Sequence, residues 1–178
     1  MSGNKKSIIF SPIIVLVCIG LVASFLLAGV FQVTAPIIEA HEIEAKNNAL
    51  LIVLPNGSSF TLKEEAELVK GVSEVYVADN GAGIVCATNN KLGYGGAIKM
   101  MVGVDSSGNI SGITVLDHSE TASLGGQALK DKYLSKFYGM AKADAIDAVD
   151  SYTQATHTSD SIKEACKAAL EQFANMPK

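Results

Sequence analysis

Ala97-Ile98-Lys99-Met100-Met101-Val102-Gly103-Val104-Asp105, then Ser106-Ser107-Gly108-Asn109, then Ile110-Ser111-Gly112-Ile113-Thr114-Val115-Leu116-Asp117, is the stretch from which the fold is read. Two apolar runs flank a short turn segment of Ser, Gly and Asn, the pattern of an antiparallel hairpin. A second pair stands upstream, Glu74 to Ala78 and Ile84 to Thr88, on either side of the loop Asp79-Asn80-Gly81-Ala82-Gly83. Four antiparallel strands make a sheet with one face to cover.

Helices at the two ends of this region supply the cover. Downstream, Ile162, Ala165, Cys166, Ala169 and Phe173 repeat at the spacing i, i+3, i+4, i+7, i+11, which predicts an amphipathic helix. Thr158, Ser159 and Ser161 fall at its start, and Ser161 with Glu164 reads as a capping box. Upstream, Ile37 to Leu54 fits a helix that docks on the domain and is stopped by Pro55-Asn56-Gly57. Phe60 to Val69 is charged and predicted to be partly helical. Gln127 to Gly139 carries Leu129, Tyr133, Leu134, Phe137 and Tyr138 at helical spacing.

The first 35 residues are of another kind. No charge stands between Ser7 and Ala35, and the apolar run from Ile8 to about Val33 is roughly 26 residues, enough for the ~20 that cross a bilayer. That run exceeds the apolar region of a signal peptide, and Pro36 is a poor residue to follow a cleavage point. Lys5 and Lys6 precede it while Glu39, Glu42 and Glu44 follow, so the charge rule puts the N-terminus in the cytoplasm and the rest outside the cell membrane. The fold class is therefore α+β, a single N-terminal transmembrane helix followed by an antiparallel sheet covered by helices. Its expected divisions are 1–35 (cytoplasmic N-terminus and transmembrane helix), 36–70 (helical connector) and 71–178 (the sheet domain).

Composition excludes several functions. A formal net charge of -4 and a pI near 5.3 give no basic patch for nucleic acid. His41 lies among carboxylates, but no second His or Cys stands at metal-ligand spacing. The three cysteines, Cys18, Cys86 and Cys166, have no iron–sulfur spacing; Cys86 and Cys166 are read as two separate buried thiols, with a disulfide between them as the alternative. No carboxylate pair or Ser/His/Asp order suggests hydrolysis, so no catalytic residue is assigned.

Two further stretches carry chemistry. Gly93-Tyr94-Gly95-Gly96 and His118-Ser119-Glu120-Thr121-Ala122-Ser123-Leu124-Gly125-Gly126 are glycine-bearing loops at strand ends, where backbone approaches a flat ligand closely or simply turns. The run Asp150-Ser151-Tyr152-Thr153-Gln154-Ala155-Thr156-His157-Thr158-Ser159 precedes the last helix, where free N–H groups and the helix dipole suit a phosphate; a plain polar turn with a Ser/Thr cap reads the same residues.

This run resembles the flavinylation signature of the FMN-binding domain family: Asp, two variable residues, Ser or Thr, Gly, Ala, Thr, one variable residue, Thr or Ser, then Ser. Gln154 stands where the signature has Gly. The stretch from Gly93 to Gly125 resembles the family's other block, a Gly-Tyr-x-Gly loop, a hydrophobic hairpin and a His-x-Glu-Thr-Pro-Gly-Leu-Gly loop, with Ala122 and Ser123 in place of Pro and Gly. The resemblance implies FMN esterified through its phosphate to Thr156 by a separate, magnesium-dependent flavin transferase. By the same resemblance Asp150, Thr153, Ala155, Thr158 and Ser159 belong to the attachment site, and Glu120, Thr121, Leu124, Gly125 and Tyr94 to the surroundings of the flavin.

One anchor followed by one such domain resembles the G subunits of Rnf-type complexes. That implies a membrane-anchored electron carrier, without activity of its own, in an ion-translocating ferredoxin:NAD+ oxidoreductase whose other membrane and peripheral subunits are its partners. The C subunit of sodium-translocating NADH:quinone reductase is the close alternative, and a non-redox exported binding domain the distant one.

Overall fold

The structure, a computed structural model, describes residues 5–64 and 67–176. The expected cytoplasmic position of residues 1–4, and the helical expectation at 65–66, lie outside the described residues. The chain divides into two compact units, Met1–Glu44 and Ala45–Lys178.

Helix α1 runs Lys5–Val53 without interruption, with Pro12 and Pro36 inside it. Within the first unit the segment from Pro12 is long and apolar enough to cross a membrane, with a best-window mean hydropathy of 2.9. Phe25, Leu26, Leu27 and Phe31 all stand exposed on it. Two of its hydroxyls bond to the helix's own backbone, Ser24 Oγ to the Gly20 carbonyl and Thr34 Oγ1 to that of Val30, as suits an apolar surround.

The second unit is a five-stranded antiparallel meander in the order β1 (Phe60–Leu62), β2 (Val72–Ala78), β3 (Gly83–Gly93), β4 (Gly96–Asp105), β5 (Ile110–Asp117). The four expected strands are all present. β1 is additional and stands where part of a helix was predicted: Phe60–Leu62 pairs with Tyr76–Ala78. Ser59 Oγ and Thr61 Oγ1 both donate to the Asp79 carboxylate, at 2.7 and 2.8 Å, fastening this edge strand. Charge density in this segment suggested a solvated helix, but side-chain bonds to a neighbouring turn favour the extended chain.

Alternation along the central strands divides the sheet's two faces. Ile84, Cys86, Met100, Val102 and Val104 belong to the larger core together with Ile162, Ala165, Cys166 and Ala169 of α5 (Thr156–Asn175). Val85, Ala87 and Met101 point the other way and meet Ala49, Leu50, Val53 and Leu54 at the end of α1. Gly103 and Gly112, paired across β4 and β5, make room for that end: a Cβ on the first falls 2.3 Å from the Val53 carbonyl oxygen, and on the second 2.8 Å from its Cα. Ser111 Oγ donates to the same carbonyl, closing the last turn of the helix.

The helical spacing of 127–139 does not give one helix. It is divided among α2 (Gly125–Ala128), α3 (Asp131–Leu134) and a 3-10 turn, Ser135–Phe137, because Lys130 takes an extended conformation (φ -87°, ψ 153°). Tyr133, Leu134 and Phe137 are buried all the same. α4 (Ala143–Asp147) leads into the polar run before α5.

Candidate functional site

Helix α5 begins at Thr156, six residues before the apolar repeat that predicted it. Its buried positions run Thr158, Ser159, Ser161, Ile162, Ala165, Cys166, Ala168, Ala169 and Gln172, so the inward face is continuous, polar at its start and again at Gln172. Thr158 and Ser159 are buried because each is paired. Thr158 Oγ1 donates to Glu120 Oε2 at 2.8 Å. Ser159 Oγ donates to the Ala155 carbonyl and accepts the N–H of Tyr152, both at 2.9 Å.

The predicted capping box is therefore not formed. Ser161 lies inside the helix, fully buried, and its hydroxyl has no partner among the described residues. Glu164 pairs with Lys167 instead. The free N–H groups are correspondingly displaced: the Ser159 N–H is already bonded to Ala155 at 2.9 Å, leaving those of Thr156, His157 and Thr158 as the open first turn rather than those from 158 to 161. No side-chain cap bonds that turn and it holds no acidic residue of its own; the Glu120 carboxylate reaches it through the Thr158 hydroxyl, while the N–H groups at the positive end of the 20-residue helix stay open to an anion.

Beside this turn is a pocket of about 110 Å³. Tyr94, Glu120, Thr121, Leu124, Gly125, Ala155, Thr156 and Thr158 line it, eight of the residues singled out from sequence, now brought together from three loops. Asp150, Thr153 and Ser159 do not reach it. Asp150 and Thr153 are exposed, the Asp150 carbonyl accepts the Tyr133 hydroxyl at 3.0 Å, and Ser159 braces the turn from behind. Burial raises the Tyr133 pKa above that of an ordinary phenol, which keeps the hydroxyl a donor to this turn.

Gln154 and His157 complete the wall, and neither was chosen from sequence. The signal for His157 was its place next to Thr156, hidden by the assumed later start of the helix. Gln154 holds φ +65°, the only positive φ outside glycine among the described residues. The backbone thus keeps the left-handed turn for which the signature has Gly.

Glu120 is the centre of the pocket wall. It is 8% exposed, and its Oε1 accepts the Gly95 N–H at 2.8 Å while Oε2 accepts Thr158. Gly125 permits this: a Cβ there falls 2.1 Å from Glu120 Oε2 and 2.6 Å from Thr158 Oγ1. On Gly95 a Cβ would meet the Ser119 carbonyl at 2.1 Å. A larger cleft of about 1310 Å³, between residues 63–70 and the C-terminal half of α5, contains none of the predicted residues.

Compared with known proteins, residues 93–171 match the FMN-binding domain, a span that holds both glycine loops and the run around Thr156. The G subunit of an ion-translocating oxidoreductase complex from Escherichia coli O157:H7 is 33% identical over 157 residues, covering 75% of this chain and 73% of the relative. The chain belongs to the FMN-binding domain family. The G subunit of the proton-translocating ferredoxin:NAD(+) oxidoreductase complex of Clostridium ljungdahlii is 28% identical over 85% of this chain and 84% of its own length. Its counterpart in the Na(+)-translocating complex of Acetobacterium woodii is 25% identical over 96% and 94%.

The residues present fit the cofactor of an FMN-binding domain. The first turn of α5 offers N–H donors for a phosphate, and the Thr156 hydroxyl beside them is exposed and makes no hydrogen bond among the described residues. The exposed side chains of Tyr94 and Leu124 at the rim suit a flat ring. At about 110 Å³ the pocket is well below the ~300 Å³ at which sites enclose a ligand of this size, so it has room for only an edge of one.

Proposed function

We propose that this chain is a membrane-anchored, covalently flavinylated electron-carrying subunit of an ion-translocating ferredoxin:NAD+ oxidoreductase complex, with FMN esterified to Thr156. The observation that carries this reading is the position of Thr156. Its free hydroxyl stands at the open N-terminus of α5 and on the rim of the pocket formed by Tyr94, Glu120 and Leu124. A phosphoryl group on that oxygen meets the N–H groups of the same turn, and an exposed hydroxyl is accessible to a transferase. When bound, the flavin supplies electron transfer; the protein's residues tether it, hydrogen-bond its phosphate and leave its ring open to a redox partner. A shallow grip makes a noncovalent flavin easy to lose, and the ester prevents that.

The similarity to G subunits along most of the chain favours this complex over the NADH:quinone reductase alternative. The relatives' names differ in the ion moved, so the ion stays outside the proposal. α1 anchors the chain with its N-terminus in the cytoplasm, and the 71–178 domain works on the outer face, on the strength of Lys5 and Lys6 against the glutamates after the span.

The deciding experiment is ultraviolet fluorescence of the denatured, gel-separated protein, since only covalent flavin survives. The parent fluoresces, Thr156→Ala gives a folded, membrane-inserted but dark band, and Thr153→Ala stays bright. FMN found by mass spectrometry on Thr153 or Thr158 overturns the assignment. Labelling of intact cells at Ser58→Cys by an impermeant thiol reagent tests the orientation, which is reversed if labelling needs lysis.

A further inference from the structure

The Glu120 carboxylate is unusual among the acidic groups described. It is almost wholly buried, no lysine or arginine pairs with it among the described residues, and its two bonded partners are neutral donors, the Gly95 N–H and the Thr158 hydroxyl. Both of its oxygens are engaged as acceptors. Three separate segments converge on it: the β3–β4 turn through Gly95, its own loop, and the first turn of α5 through Thr158. Gly93 and Gly125 have no Cβ where one would collide with its oxygens, at 2.7 and 2.1 Å.

A charge so placed, met by the neutral donors of the β3–β4 turn and the first turn of α5, does more than hold loops together. Glutamine offers the same shape, an acceptor for Gly95 and a polar partner for Thr158, so geometry alone does not require a carboxylate. The charge itself has a consequence, because the pocket it lines is the one that grips the flavin in the function proposed above.

We propose that Glu120 is a positioning residue whose fixed negative charge in the pocket wall makes the flavin harder to reduce, holding the carrier at a low potential. Electrons added to a ring near an anion are opposed by Coulomb repulsion, which burial screens poorly. One charge removed from such a wall changes the ratio of reduced to oxidised flavin by on the order of tenfold at fixed ambient potential, ~30 mV for a two-electron couple.

The inference rests on the flavin being bound at Thr156, and the experiment separates the two. A parent protein without a fluorescent band fails the functional proposal before any potential is measured. With flavin present, Glu120→Gln is compared with Thr158→Val by spectroelectrochemical titration, and both are melted as flavin-free proteins in a Thr156→Ala background. Glu120→Gln is expected to keep the melting temperature and move the potential positive, whereas Thr158→Val keeps the charge, lowers the melting temperature and moves the potential no higher. An unmoved potential in Glu120→Gln overturns the proposal, as does an equal positive shift in Thr158→Val, which makes loop position the cause. If Glu120→Gln fails to fold, Thr121→Lys puts a positive charge on the same wall from an exposed position; a potential unmoved there is equally decisive against it.

Discussion

The ring of Tyr94 stands 6.4 Å from the imidazole of His157, tilted by 32°, where the β3–β4 turn meets the first turn of α5. Tyr94 is 82% exposed and Leu124, on the neighbouring loop, 42% exposed. Neither contributes to the two buried cores, so the fold does not depend on them, and their use is at the rim of the pocket. Tyr94→Ala and Leu124→Ala are therefore expected to change stability by no more than about 0.5 kcal/mol. Both should load flavin fully while altering its fluorescence or potential and slowing electron transfer. Two variants whose spectrum, potential and turnover all equal the parent's place the ring elsewhere.

The end of α1 is tied to the sheet by a small polar cluster whose effect depends on pH. Lys46 Nζ bonds both oxygens of Glu74 at 3.0 and 3.1 Å, and the Tyr76 hydroxyl donates to the same carboxylate at 2.6 Å. Burial acts on Glu74 to raise its pKa, but the bonds from Tyr76 and Lys46 and the lysine's charge outweigh it and hold the carboxyl below its ordinary 4.5. A carboxyl so depressed takes up its proton more readily in the unfolded chain. Its contribution is full above about pH 4.5 and is lost as pH falls through the folded-state value. Glu74→Gln should flatten this part of the acid limb in denaturant titrations; an acid limb identical to the parent's shows that the cluster contributes nothing there.

The sheet and its two covering helices were legible because their signals are local: apolar runs on either side of Ser106-Ser107-Gly108-Asn109, and the i, i+3, i+4 repeat from Ile162. What escaped was encoded in contacts between distant residues. Thr158 and Ser159 read as caps because polar side chains at a helix start ordinarily are; they continue the buried face of α5 only because Glu120, 38 residues away, and the turn at Tyr152 satisfy them. β1 likewise owes its strand to Asp79. The loops that form the pocket were recognised by resemblance, and no local periodicity places Tyr94 beside His157.

Cys86 on β3 and Cys166 on α5 are both buried and free. Burial alone pushes the Cys86 thiol up to about 12, and that of Cys166 upward as well, so neither forms an appreciable thiolate near neutral pH. Both are expected to resist alkylation in the folded protein and to react fully in denaturant without reductant, on the far side of the membrane as much as inside the cell. A thiol count two lower in unreduced than in reduced denatured protein means that they form a disulfide.

Gln154 occupies the left-handed turn one residue before Ala155, at φ +65°, and its side chain stands exposed at the pocket mouth. A residue with a Cβ in that region costs ~1–2 kcal/mol relative to the right-handed alternative, and glycine does not incur this cost. Glycine also enlarges the freedom of the unfolded chain, offsetting roughly 0.4–1 kcal/mol of the gain. Gln154→Gly is thus expected to raise stability by up to about 1 kcal/mol, whereas Gln154→Ala keeps the strained conformation and stays close to the parent. Flavin loading of the glycine variant should be at least as complete, because it restores the residue of the signature without moving Thr156. The comparison to make is the chemical melt of the two variants side by side with their fluorescence per mole of protein. A glycine variant less stable than the alanine one means that the Gln154 conformation is held by interactions of its Cβ, and a glycine variant poorer in flavin means that the glutamine side chain takes part in attachment.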